Sequence, residues 1–256
     1  MIARSLRIIA LIGALALPAS AAEQVVAGLS DNQIAITATF NGSEILVFGA
    51  VKRDTPVPPG PPLQVIVTLQ GPATPVNVRK KGHELGIWVN TASVRINSAP
   101  SFYAIATSDL MPRVLSATDD LRYHVSIPQV IGTVGTASMA PDAPSFVEAL
   151  IRIRKEEGLY VLDEGAVEVD QSTLFRTRIK LPANLTEGRY KARIFLTRDG
   201  HVIAEHDTGV FVRKAGLERW LYQLAKQQAA IYGFLSLVIA VVAGWLASAA
   251  FRLFKR

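Results

Sequence analysis

The sequence predicts a mainly β protein, with one or two immunoglobulin-like β-sandwich regions, a helical connector and a C-terminal single transmembrane helix. Three observations predict it. Apolar residues alternate at period two in short runs on both sides of an amphipathic stretch, with Gly- and Pro-containing turns between the runs. From Ala229 to Phe251 there is no charged residue, and about 20 apolar residues as a helix cross a hydrocarbon layer of about 30 Å. The 256 residues include no cysteine, so the β regions must be held by core packing, and thiol chemistry and thiolate metal sites are excluded.

Residues 1–22 read as a secretory signal peptide. Arg4 and Arg7 precede an apolar core from Ile8 to Leu17, and Pro18-Ala-Ser-Ala-Ala22 is a small-residue exit. Cleavage is expected after Ala21 or Ala22. An uncleaved signal-anchor is the alternative, and it leaves the middle of the chain on the same side.

Residues 23–108 form the first β region. Ile34, Ile36, Ala38 and Phe40 alternate, Asn41-Gly42 is a turn pair, and Glu44–Val51 reads as the return strand of a hairpin. Pro56–Pro62 cannot sustain ladder hydrogen bonds and is a loop. Leu63–Leu69, Val76–Arg79, Gly86–Asn90 and Phe102–Thr107 follow as strands, with Arg79-Lys80-Lys81 expected in a solvated loop. Residues 109–158 are the helical connector. Ser116 can start a short helix that Pro128 limits, and Ser145-Phe-Val-Glu148 has the form of a capping box for an amphipathic helix stopped by Gly158.

Residues 159–213 return to strands: Leu174–Leu181, Arg189–Leu196 and, past the Asp199-Gly200 turn, His201–Val212. The spacing from Leu181-Pro182 to Gly188-Arg-Tyr190 predicts a tyrosine corner, with Tyr190 as a structural hydrogen-bond donor. Whether the two β regions share one sandwich stays open at this stage. Residues 214–230 predict a juxtamembrane amphipathic helix, with Leu217, Trp220, Leu221, Leu224 and Ala225 on one side. That side is free to meet the ectodomain, the outer leaflet or another protein. Residues 231–251 are the span, and 252–256 are a tail in which Arg252, Lys255 and Arg256 place the C-terminus in the cytoplasm.

Charge adds little. The formal +6 includes Arg4, Arg7, Arg252, Lys255 and Arg256, which leaves +1 for the exported part. The pI of 9.7 is therefore no argument for nucleic acid. The four histidines (His83, His124, His201, His206) are scattered, and no nucleophile elbow, zinc-protease helix or phosphate loop occurs. Asp119-Asp120 and Glu156-Glu157 are adjacent acids that look too exposed for a calcium site. No catalytic, cofactor-binding or metal-ligating residue is assigned, and the chain is expected not to be an enzyme. In the span, Ala240, Gly244 and Ser248 recur every four residues and make a candidate helix-packing face for a membrane-protein partner.

Several segments occur in an order that resembles the putative transmembrane protein family of alphaproteobacteria. They are Val47-Phe-Gly-Ala50, Gly86-Ile-Trp-Val-Asn90, Pro100-Ser-Phe-Tyr-Ala104, Leu181-Pro182 with Gly188-x-Tyr190, Val212-Arg-Lys-x-Gly216, and the stretch from Tyr232-Gly233 to Gly244-Trp245. The resemblance covers nearly the whole chain after the signal peptide. It implies a membrane location and a bacterial origin, hence a periplasmic ectodomain, and it supplies no catalytic residues.

The leading expectation is a single-pass inner-membrane protein, N-side periplasmic and C-side cytoplasmic, whose ectodomain binds or scaffolds a partner. A transporter in the same membrane is one candidate. The rival is a periplasmic ligand-binding receptor or hydrolase, which needs Trp88, Asn90, Tyr103 and Arg79 to converge between the sheets. A third reading is an envelope structural protein.

Overall fold

The computed structural model describes residues 23–31, 33–36, 42–53, 56–57, 60–84, 86–131, 143–214 and 224–254. The expected signal peptide, the middle of the juxtamembrane helix and the last two basic residues of the tail lie outside them. In chain order the strands are β1 (Gln24–Leu29), β2 (Gln33–Ile36), β3 (Ser43–Lys52), β4 (Gln64–Gln70), β5 (Ala73–Glu84), β6 (Ile87–Pro100), β7 (Tyr103–Thr107), β8 (Tyr160–Asp163), β9 (Glu168–Asp170), β10 (Leu174–Leu181), β11 (Gly188–Arg198) and β12 (His201–Lys214). The helices are α1 (Met111–Val114), α2 (Ala117–Tyr123), α3 (Ile127–Val130), α4 (Ala143–Glu156) and α5 (Ala229–Phe254). The protein is mainly β, in several sheets, with one C-terminal apolar helix.

A four-stranded antiparallel sheet has the order β1-β3-β10-β9, and a six-stranded sheet the order β2-β12-β11-β4-β7-β8. Both sheets combine strands from before and after the connector: β10 lies beside β3, and β11 beside β4. The two β regions therefore share their sheets. In β10 every second residue is buried, so Phe175, Thr177, Ile179 and Leu181 face the core while Arg176, Arg178 and Lys180 stay wet. β4 has no polar side because both its faces are covered. Its core side belongs to the common core, α1 packs against it, and beside it Tyr123 of α2 packs edge-on against Phe195 of β11 at 5.8 Å.

Ala38, Phe40 and Asn41 of the expected hairpin lie outside the described residues, and the described strands on either side of Asn41-Gly42 do not pair with each other. β2 pairs parallel to β12 in the six-stranded sheet, while β3 sits in the other sheet between β1 and β10. Just before β3, Gly42 sits at φ +108°, where a Cβ would stand 2.8 Å from the Leu181 carbonyl oxygen. β5 and β6 are far longer than the alternation indicates and form a separate two-stranded ribbon with a bulge at Lys80/Lys81. Arg79-Lys80-Lys81 is thus strand, not loop. α2 begins at the Ser116 cap, whose hydroxyl accepts from the Asp119 amide, and ends at His124 in the left-handed region. Pro128 lies in the separate α3, so it does not limit α2. α4 starts at Ala143, two residues before the capping box that Ser145 was to open. Gly158, at φ +70°, follows its end as expected.

Buried tyrosines find carbonyl acceptors. Tyr190 Oη donates to Thr186 O at 2.9 Å, the tyrosine corner that the spacing predicts. Its neighbour Gly188 sits at φ +152°, where a Cβ would lie 2.4 Å from Pro72 Cγ, so only glycine fits. Tyr160 Oη donates to Pro100 O at 2.8 Å, and burial pushes its hydroxyl up to about 12 from 10.0. An acid that titrates higher in the folded state stabilises fully below its unfolded value and loses that contribution as pH rises. Stability is therefore expected to fall between about pH 10 and 12, by on the order of 2 kcal/mol from this group. Urea melts of wild type and Tyr160→Phe across that range check it, because the Phe variant lacks this part of the slope.

Candidate functional site

The outward face of the four-stranded sheet carries an apolar trough. Antiparallel register sets two rows of neighbours across it. Val26, Ala50, Leu174 and Asp170 form one, and Gly28, Phe48, Arg176 and Glu168 form the next. Val26 is 60% exposed, Phe48 45% and Leu174 55%, so this face is uncovered where most half-buried sheets would be polar. The hollow along these rows has a volume of 810 Å³.

Local sequence explains the shape. The Phe48 ring lies over Gly28, where a Cβ would stand 3.3 Å from Phe48 Cζ. On the inner face the Phe175 ring covers Gly49, where a Cβ would be 2.5 Å from Phe175 Cζ and 2.6 Å from the Val26 carbonyl. Each glycine leaves room for an aromatic ring to lie flat on the neighbouring strand, which covers the exposed backbone on both faces. At one edge Arg176 and Glu168 pair at 2.6 Å. Both are well exposed, so the pair orients the rim more than it stabilises the sheet. The trough thus presents exposed apolar side chains beside a small charged wall.

The residues named from sequence are distributed as follows. Trp88 and Asn90 are exposed on the ribbon, and so is Arg79, whereas Tyr103 is buried in β7 with its hydroxyl on Val125 O at 2.7 Å. These four do not converge, and the pocket they were to form between the sheets is not there. Asp119 and Asp120 are not the exposed pair that the sequence indicates. Asp119 is 7% exposed and accepts from the Val202 amide at 2.8 Å, and Asp120 accepts from the Val125 and Ser126 amides. Their carboxylates are used by backbone. Arg193 completes this region by donating to Tyr123 O and His124 O at the C-terminus of α2.

Among the histidines, His201 Nδ1 lies 3.4 Å from Asp119, and His83 meets Trp88 edge-on at 5.2 Å. Among the described residues no three His, Asp or Glu side chains gather as a metal site. Ala240, Gly244 and Ser248 are exposed along one side of α5, and a Cβ at Gly244 would meet nothing within 4 Å. Sequence reasoning missed the trough because Val26, Phe48 and Leu174 come from three strands. The exposed parity of β3 could have been read from Phe48-x-Ala50, but its partners could not.

A family model described as "Putative transmembrane protein (Alph_Pro_TM)" matches residues 24–253. No curated protein matches the chain. Of the solved structures, it is similar to the sporulation control protein Spo0M of Bacillus subtilis, at 13% identity and a TM-score of 0.28, over 80% of this chain and 56% of that one. It is also similar to BslA, a bacterial hydrophobin, at 10% identity and a TM-score of 0.21, over 76% and 97%. The chain thus spans little more than half the length of Spo0M.

Proposed function

The chain belongs to the putative transmembrane protein family, and from that premise we propose that it is a single-pass inner-membrane protein whose periplasmic β ectodomain binds a protein partner in the same membrane. α5 is one candidate span, and its 26 residues make about 39 Å of helix. The orientation rests on the basic flank at Arg4 and Arg7, the small-residue exit and the basic tail. Not being an enzyme is part of the proposal.

The observation that carries partner binding is the uncovered trough of Val26, Phe48 and Leu174. A partner strand or loop presenting apolar side chains would bury it, and the small face of Ala240, Gly244 and Ser248 would let a partner helix approach in the bilayer. The volume of the trough also suits a small apolar ligand, so a receptor is the second reading.

Co-purification of the full chain from mild detergent tests the proposal. Phe48→Asp would bury an unpaired carboxylate at the contact, and recovery of the partner is expected to fall tenfold or more, about 1.4 kcal/mol per decade. Gly244→Leu is expected to weaken it further. Recovery of a lone protein, with both variants behaving like wild type, sinks partner binding. A reporter active only in the cytosol, fused at Gln171 and found working, sinks the orientation.

A further inference from the structure

We propose that the tip of the β5–β6 ribbon is a second membrane contact, which docks on a bilayer surface bearing anionic lipid. The inference rests on the reading of α5 as a span, which ties the chain to a bilayer, but the contact itself is a property of the ribbon.

The base of the ribbon is anchored: Val78, Val94 and Ile96 are buried, and α4 packs there with Phe146. Beyond the base the ribbon is largely uncovered, with α4 only across an open cleft from Arg79–Lys81. Arg79 to Glu84 and Ile87 to Ser93 are exposed, apart from the half-buried Gly82 and Val89. Six residues of strand from Arg79 to Glu84 reach about 20 Å. A two-stranded ribbon with its faces largely uncovered is marginal in water, so this extension is placed to gain support from something else.

Two features identify that surface. At the tip, in the last ladder pairs, Ile87 is 63% and Trp88 69% exposed, with the Trp88 ring braced by His83. An indole with an apolar body and a polar edge suits the headgroup boundary. Behind the tip the two strands carry Arg79, Lys80, Lys81 and Arg95 against the single carboxylate of Glu84. The exported part as a whole has a formal charge of only +1, so this ribbon concentrates its positive charge. Arg79, Lys80 and Lys81 also face Arg152 of α4 across an open cleft of 600 Å³, with Glu148 as its one acid. An apolar tip backed by cations complements an anionic lipid surface: the tip enters the boundary, and the cations meet phosphate.

The absence of cysteine makes a direct test available on the full chain. Ile87→Cys carries a nitroxide, with Asn184→Cys, in an exposed loop, as control. Each is reconstituted in vesicles of phosphatidylcholine, alone or mixed with phosphatidylglycerol. The ratio of oxygen to nickel-chelate accessibility is expected to rise several-fold at position 87 in the mixed vesicles and not at 184. Adding Lys80→Glu and Lys81→Glu is expected to weaken docking tenfold or more and return the label to water. If the chain floats with vesicles while label 87 stays wet in both lipids, the inference is overturned and the membrane-span reading stands. A chain that does not float overturns both. A label that is immobilised but wet points to protein contact, and one equally dry in both lipids removes the anionic preference; each overturns the proposal.

Discussion

Glu23→Ala is expected to destabilise the β sheets by about 3–5 kcal/mol, the range for breaking a buried ion pair from one side. Glu23 lies immediately before β1, and its side chain is 7% exposed. It accepts from Arg53 Nε at 2.6 Å and from Arg198 Nη2 at 3.1 and 3.2 Å. Arg53 follows β3 and also donates to the Ser172 carbonyl in the β9–β10 turn, whereas Arg198 closes β11 in the other sheet. One carboxylate therefore joins the two sheets at one end. Removing it leaves two guanidinium groups, both largely buried, facing each other without a counter-charge. Glu23→Gln keeps the shape and one acceptor, so its cost is expected to be smaller.

The pH dependence gives the same test a second readout. Burial pushes the Glu23 carboxyl up, but the hydrogen bonds and charges of Arg53 and Arg198 pull it further down, so it titrates below its ordinary value of 4.5. A carboxyl lowered in the folded state contributes stability that is present above the unfolded value and is lost as pH falls through the folded one. Wild type is therefore expected to lose stability below about pH 4.5 along a slope that Glu23→Gln lacks. Denaturant melts in detergent followed by near-ultraviolet circular dichroism measure both effects. A Glu23→Ala midpoint equal to that of wild type would show that the clamp carries no stability.

Strand content was legible wherever one face met the core and the other met water. Leu174–Leu181 alternates without error because β10 is half-wet along its whole length, and Arg189–Leu196 shows the same pattern on its core side. Pairing was not legible. Asn41-Gly42 has the local chemistry of a hairpin, but β2 finds its partner in β12, far along the chain, and turn chemistry carries no information about that. The β5–β6 ribbon was legible only in part, for another reason. Val76–Arg79 and Gly86–Asn90 read as strands, but the rest of its distal half has little core contact and no apolar period, so Lys80-Lys81 reads as loop and the length of both strands goes unseen. The candidate site was hidden in the same way. Phe48 and Gly49 stand in a segment singled out from sequence, but the trough exists only once β1, β3, β9 and β10 are side by side.

Ile239→Lys with Val242→Lys is expected to remove the chain from membranes. Each lysine near the centre of a span costs about 3 kcal/mol on insertion scales, so the pair costs about 6 kcal/mol. Both positions lie inside the apolar window Ala229–Ser248, none of which is buried against the rest of the protein. Phe234 is 72% exposed, Leu237 63% and Trp245 65%, far more contiguous apolar surface than a water-facing helix tolerates. A soluble protein would bury such a helix in its core, and lysines there would unfold it. A membrane helix instead answers to lipid, so the β sheets should keep their stability while the chain changes fraction. Flotation on a density gradient separates membrane-bound from aggregated chains, and melts of the β-sheet signal should agree between variant and wild type within about 0.5 kcal/mol. A double variant that still floats, or one that melts several kcal/mol earlier, would show that α5 serves the fold and not the bilayer.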